Sequence, residues 1–333
     1  ITSRGYIVTE GMELSAGKHK LVFLMAPMVH WPEVMMTYDA TDGTLFSADA
    51  FGTFGALNGN LFADEVNFET EWLADARRYY TNIVGKYGQQ VQDVLAKAAT
   101  VQINTICPLH GPVWRDNLPW IIEKYDKWSS YTPEDQGAVM VVYGSVYGGT
   151  ENAANILAGK LSEGGVRNVA VYDVSKTHVS ELIAEAFRCS HIVFASITYN
   201  MGIFTPMKNL LMDLQAHNLQ NRSYALVENG SWSPASGKLM NEILMQMPDM
   251  RQVGDTVTIL STTNDESYKK LGDLATQLVQ SLTGTPAPRA EEPVAATQWR
   301  CKVCGFVYEG DALPEGYTCP ICGVGADMIE KIS

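Results

Sequence analysis

Long apolar runs are missing from this sequence. Nowhere do about 18 apolar residues follow one another, the length a membrane-crossing helix needs, so nothing here is expected to span a bilayer. A charged start followed by an apolar stretch and a small-residue cleavage pattern is missing too, so no signal peptide is read. Positive charge is scarce: 24 Lys and Arg stand against 37 Asp and Glu, a net charge of −13. Binding to nucleic acid relies on basic patches that neutralise phosphates, so that class of partner is excluded. An acidic surface instead suits docking to basic partners. Cysteine is also scarce, at six in 333 residues, and two of the six, Cys107 and Cys189, sit singly in apolar runs. They read as buried free thiols, which fits a reducing compartment, and a cytoplasmic location is expected. No initiator methionine precedes Ile1, which reads as the start of a fragment.

What the chain has in quantity is apolar residue, 46 % of the total, enough for packed cores in two or three domains. The other four cysteines lie close together in WRCKVCGFVYEGDALPEGYTCPICG, from Trp299 to Gly323. They form two Cys-x-x-Cys pairs, Cys301/Cys304 and Cys319/Cys322, each followed by glycine. A two-residue spacer lets one tight turn present two thiolates to one ion, and four sulfurs about 2.3 Å from a metal complete a tetrahedron. Zinc and iron both accept such a set, and the cysteines alone do not choose between them. The pairs resemble a rubredoxin in wording, with Trp299, Phe306 and Tyr308 as its small core, and the short gap between them resembles the compact form at the end of rubrerythrins. That resemblance implies one iron passing single electrons; a structural zinc ribbon is the alternative.

Residues 138–283 alternate strand and helix. Strands are expected at 138–144, 168–173, 191–196, 222–228 and 256–260, and helices near 150–163, 178–187, 205–216, 236–247 and 266–282. Such repeated βα units predict a doubly wound parallel sheet, which binds ligands beyond the carboxyl ends of its strands. The first strand runs into Ser145-Val146-Tyr147-Gly148-Gly149-Thr150, where hydroxyls, glycines and a helix start suit a phosphate. No Lys-Ser/Thr ends the loop, so it is not a nucleoside triphosphate loop. Two more loops offer aromatics beside polar backbone: Thr198-Tyr199-Asn200-Met201-Gly202 and Gly230-Ser231-Trp232. Together they resemble a flavodoxin. The resemblance implies FMN, with Ser145, Val146, Tyr147, Gly148, Gly149 and Thr150 around its phosphate, and with Thr198, Tyr199, Asn200, Gly202, Ser231 and Trp232 bordering its ring. His178, His191 and His217 fit no motif and read as core or surface residues.

In residues 1–137, strands are expected at Ile7–Val8, Leu21–Met25, Met35–Tyr38, Thr44–Ser47 and Val101–Ile106, with turns at Gly17 and Asp42-Gly43. Residues 68–99 read as two helices broken near Gly88. His30, Asp49 and His110 each follow a strand-like apolar run where a loop begins. Imidazole and carboxylate suit divalent iron or zinc, and one carboxylate can bridge two ions. The three loops resemble the second half of a metallo-β-lactamase-like domain, in the wording of the flavodiiron branch. The resemblance implies that His30 binds one iron, Asp49 bridges and His110 binds the other. The family's upstream motif, His-x-Glu-x-Asp-His, has no counterpart among residues 1–29, where His19, Glu10 and Glu13 lack the spacing.

Residues 284–297 are rich in Pro, Ala and Glu and read as a semi-extended tether before the cysteine domain at 298–333. The expected fold class is α/β multidomain: a partial metallo-β-lactamase-like αββα domain, a flavodoxin-like sheet and a small rubredoxin-type domain. The order resembles a flavodiiron protein with a fused rubredoxin. It implies electrons passing from an NAD(P)H-dependent rubredoxin reductase to the Cys-held iron, to FMN and to a di-iron site that reduces nitric oxide to nitrous oxide or dioxygen to water. It also implies a head-to-tail homodimer or a dimer of dimers. The rival readings are a non-catalytic flavodoxin–rubredoxin electron carrier and, behind it, a zinc hydrolase with a redox tail.

Overall fold

A computed structural model describes residues 5–284, 297–303, 307–310, 312–314, 316–320 and 322–331. Two compact units are formed, Ile1–Thr285 and Pro286–Ser333. Cys304, Phe306 and residues 285–296 of the expected tether lie outside the described residues.

The first unit opens with a five-stranded sheet in the order β1-β2-β3-β4-β5. Its strands are β1 (Glu13–Ala16), β2 (His19–Met25), β3 (Met35–Asp39), β4 (Thr44–Phe46) and β5 (Thr105–Cys107). Turns at Gly17 and Gly43, both at positive φ, make β1–β2 and β3–β4 hairpins. The expected strand at Ile7–Val8 is instead exposed coil; with no neighbour to pair with among the described residues, Ile7 is left 89 % exposed. The expected strand at Val101–Ile106 is shorter and later, because only Thr105–Cys107 pairs with β4. Helices α1 (Phe68–Glu71), α2 (Leu73–Ile83), α3 (Gly88–Ala98) and α4 (Leu118–Ser129) cover the sheet. The break near Gly88 is there, and Gly88 starts α3 because a side chain would overlap the Ser129 carbonyl. α4 is not among the expected helices, although Ile121, Tyr125 and Trp128 repeat at helical spacing and are each at most 1 % exposed. Tyr125 and Trp128 pack with Tyr80 into an aromatic core under the sheet.

A second sheet follows: β6 (Asp135–Gly144), β7 (Asn168–Asp173), β8 (Cys189–Tyr199), β10 (Ser223–Gly230), β11 (Arg251–Gln252) and β12 (Val257–Leu260), with the short β9 (Gly202–Ile203) folded back on β8. The long strands run parallel in the order β7-β6-β8-β10-β12. In chain order that is 2-1-3-4-5, whose switch point lies between β6 and β8. Helices α5 (Gly149–Glu163), α6 (Val179–Arg188), α7 (Thr205–Ala216), α8 (Ser236–Leu244) and α9 (Asp265–Leu282) flank it on two faces. Buried strands such as Val139–Val142 read as unbroken apolar runs because both faces are covered. Cys189 is buried as expected, whereas Cys107 is half-buried. His191 is buried between Ser190 and Ser281, which fits its reading as a core residue.

The two sheets share a buried ion network. Glu134 accepts from Arg77 Nε at 2.6 Å and Nη2 at 3.0 Å, and from the Trp128 indole at 2.9 Å, with Lys124 at 3.4 Å. Nearby, Arg78 Nε on α2 donates to Ser180 Oγ on α6 at 2.7 Å. The second unit is a three-stranded antiparallel sheet, with β13 (Gln298–Cys301) between β14 (Val307–Glu309) and β15 (Ile329–Lys331). Among the described residues no helix is long and apolar enough to cross a membrane.

Candidate functional site

Strand order explains why His30, Asp49 and His110 meet. β4 and β5 are parallel, with Phe46 opposite Cys107, so the loops carrying Asp49 and His110 leave the same edge. β3 is antiparallel to both β2 and β4, so the loop from Met25 to Met35 turns at that edge as well. His110 Nε2 lies 3.2 Å from Asp49 Oδ1, and His30 Nε2 lies 3.7 Å from Oδ2. Each imidazole therefore faces a different oxygen of one carboxylate, the geometry of a bridge between two ions.

The loops are held tightly. Met28, Ala48 and Phe51 all adopt positive φ, a costly backbone for residues with side chains that gathers at functional loops. Ser47 Oγ donates to the Ala50 carbonyl at 2.7 Å, Leu109 N–H to the Ala48 carbonyl at 2.8 Å, and Phe51 N–H to the Tyr125 hydroxyl at 2.7 Å. The Tyr79 hydroxyl donates to Asp49 Oδ1 at 3.5 Å. Burial, and then the Asp49 charge beside it, push the Tyr79 phenol well above its ordinary range, so it stays a donor. The donor set has the chemistry for iron, but it gives one imidazole per ion and one shared carboxylate, fewer than two irons need. His19 does not contribute: it lies at the far end of β2, 2.5 Å from Asp39.

The second group of residues surrounds a cavity of about 550 Å³ at the carboxyl ends of β6, β8, β10 and β12. Ser145, Val146, Tyr147, Gly149 and Thr150 line it from the first loop. Gly148, at φ +84, turns the chain into α5, and its N–H donates to Ser145 Oγ at 3.1 Å. Thr150 is fully buried at the helix start, and its hydroxyl has no partner among the described residues. A buried, unpaired hydroxyl beside free helix N–H groups fits an anion. Asn200 and Met201, both at positive φ, form the two-residue turn between β8 and β9 that sets Tyr199 on the rim. Thr198 lines the cavity and also braces the start of α8, because its hydroxyl accepts from Ala235 N–H at 2.9 Å and Ser236 N–H at 3.2 Å. Tyr147 and Trp232 stand 99 % and 87 % exposed at the mouth, and Ser231 lines it. Gly202 is in β9 rather than in the wall. The wall also includes Asn229, Ser261 and Thr262, which the three loop motifs did not mark. Volume, apolar rim and anion-ready helix start together fit FMN.

In the second unit, Cys301, Cys319 and Cys322 bring their sulfurs within 4.8 Å of one another. The Cys301–Cys322 separation is 3.6 Å. That is far from a disulfide bond of about 2.05 Å and close to the edge of a tetrahedron with about 2.3 Å metal–sulfur bonds. Gly323, at φ +73, turns the backbone so that its N–H donates to the Cys319 carbonyl at 2.8 Å. Cys301 and Cys319 are buried and Cys322 is exposed.

Three family models match separate stretches of this chain. Residues 3–111 match the model of the ODP family beta lactamase, 141–247 that of flavodoxin and 299–330 that of the rubrerythrin, rubredoxin-like domain. The anaerobic nitric oxide reductase flavorubredoxin of Escherichia coli K12 is 25 % identical over 360 aligned residues, covering 98 % of this chain and 74 % of that one. Rubredoxin oxygen:oxidoreductase from the anaerobe Desulfovibrio gigas superposes with a TM-score of 0.77 at 27 % identity, over 85 % of this chain and 70 % of that one. The flavodiiron protein of Giardia intestinalis shares the fold, with a TM-score of 0.74 at 23 % identity, over 85 % and 70 %. The fold is therefore multidomain α/β, with metallo-β-lactamase-like, flavodoxin-like and rubredoxin-like parts. The flavodoxin part implies FMN, and the cysteine cluster in the rubredoxin-like part implies an iron site.

Proposed function

We propose that this chain, which is a flavorubredoxin-like flavodiiron protein, takes electrons singly at its Cys-held iron, gathers them at FMN and delivers them at paired irons to nitric oxide or dioxygen. When bound, the flavin supplies the change from one-electron to two-electron traffic, and the irons supply the gas-reducing chemistry. The observation that carries the reading is that Asp49 stands between His30 and His110 in a chain that also holds the flavin-sized cavity and the cysteine cluster.

The residues divide the work. Gly148, Gly149 and Thr150 bind the flavin phosphate, and Tyr147, Tyr199 and Trp232 flank the ring and exclude water. His30, Asp49 and His110 supply part of the ligand set for iron, while Tyr79 orients the Asp49 carboxylate. Cys301, Cys304, Cys319 and Cys322 hold the single iron. A basic, NAD(P)H-dependent reductase suits the acidic surface as electron donor, and the cytoplasm is its place of work. The exposed Tyr147 and Trp232 support a head-to-tail homodimer in which a second copy covers the flavin mouth.

A second reading, the non-catalytic electron carrier, is favoured by the small number of iron donors. One experiment separates the two. Reduced protein is exposed to nitric oxide and, separately, to dioxygen, with nitrous oxide read by gas chromatography and dioxygen by electrode. The reductase reading expects consumption of at least one gas, and at least about a tenfold loss in Asp49→Asn. Electrons passed readily to an added acceptor protein, with neither gas consumed, would leave the carrier.

A further inference from the structure

Asn229 lies at the end of β10, buried at 5 % exposure, and its amide is used twice on one neighbour. Nδ2 donates to the Ser261 carbonyl at 3.2 Å, and Oδ1 accepts from Ser261 N–H at 3.0 Å. Ser261 begins the loop after β12 and has φ +66, a conformation the chain holds only under constraint. The same residue borders both ends of the cavity. Its carbonyl oxygen packs so closely on Gly149, at the start of α5, that a Cβ there would overlap it. Its hydroxyl donates to Ser231 Oγ at 3.1 Å, beside Trp232. One residue further on, Thr262 lines the cavity, and Asn152 Nδ2 reaches Thr263 Oγ1 at 3.5 Å.

A carbonyl oxygen at a helix N-terminus opposes an anion bound there, because its negative end competes for the same N–H groups. The Asn229 N–H ties up that oxygen. The paired bond also fixes the loop that carries Ser261 and Thr262 into the wall.

We infer that Asn229 is a positioning residue that sets the preference of the cavity for a phosphorylated flavin over the same flavin without its phosphate. The inference rests on the flavin reading of the cavity. Removing the amide frees the Ser261 carbonyl beside the phosphate. Asn229→Asp is the sharper variant: it keeps the shape and the acceptor for Ser261 N–H, removes the donor and adds negative charge.

The test uses full-length protein stripped of flavin. FMN and riboflavin are titrated separately into wild type, Asn229→Ala and Asn229→Asp, following flavin fluorescence, with melting temperature as a control. The expected result is a loss of FMN affinity of about tenfold in Asn229→Ala and a larger loss in Asn229→Asp, with riboflavin affinity changed by less than about twofold in both. Equal losses for both flavins would overturn the inference and reduce Asn229 to a packing residue, as would wild-type affinity for FMN in both variants. A wild-type chain that takes up neither flavin would instead sink the flavin reading itself.

Discussion

Glu134 offers the prediction with the best-defined magnitude. Burial alone would push its carboxyl up, but the Arg77 fork, the Trp128 indole and Lys124 outweigh that and bring it down from the ordinary 4.5 to about 2. The folded state therefore binds the proton more weakly than the unfolded chain does. The resulting stability is fully present above pH 4.5 and is lost as the pH falls toward 2. At about 1.4 kcal/mol per pH unit, the difference comes to about 3 kcal/mol. Glu134→Gln removes this contribution and leaves Arg77 and Lys124 without their carboxylate, for a loss of about 3–5 kcal/mol at pH 7. At roughly 2 °C per kcal/mol for a unit of this size, melting should fall by roughly 6–10 °C. By pH 3 about 2 kcal/mol of the difference from wild type should have disappeared, because the wild type has lost that much itself. The assay is calorimetric melting of wild type, Arg77→Met, Glu134→Gln and the double variant at pH 7 and pH 3. The double variant should lose less than the sum of the singles, since the two groups act as one pair. A gap between wild type and Glu134→Gln that is as wide at pH 3 as at pH 7, or strictly additive losses, would mean that Arg77 and Lys124 do not hold the Glu134 carboxyl down. The pair also bears on function, because Arg77 is two residues from Tyr79 on α2, so loosening it should disturb the donor to Asp49.

Two further predictions concern the cofactor sites. Gly149→Ala drives a Cβ into the Ser261 carbonyl, and the clash is with backbone on both sides, so FMN affinity should fall by at least about a hundredfold; dialysis against FMN with absorption of the retained flavin checks it. Cys319→Ser should lower iron content by about one per chain, measured by elemental analysis, with flavin content unchanged because the cysteine site belongs to a separate compact unit.

The site was legible in the sequence wherever a local signal carried it. The Ser145–Thr150 loop declares itself by glycines before a helix, and the cysteine pairs by spacing. His30, Asp49 and His110 could be picked out as residues at strand ends, but their meeting depends on β4 and β5 being parallel neighbours, a fact of topology rather than of local sequence. The same reason hid Asn229 and Ser261: they are 32 residues apart, and only the pairing of β10 with β12 brings them together. The first segment is the least legible. Ile7–Val8 has strand composition and, among the described residues, no strand to pair with, while α4 carries its apolar period behind Pro119, at a helix start where proline is tolerated. Tyr79 gave no signal, because a tyrosine on an amphipathic helix looks like core until Asp49 is placed beside it.

A flavin and two kinds of iron site in the native protein are what the proposed electron path requires. The most direct test counts iron, zinc and FMN per chain in purified protein. About one FMN and about three irons are expected in the native protein, one iron held by four thiolates and two at a site to which His30, Asp49 and His110 contribute, with little zinc. About one iron per FMN would contradict this: only the cysteine site would then be filled, and the protein would be an electron carrier rather than a reductase.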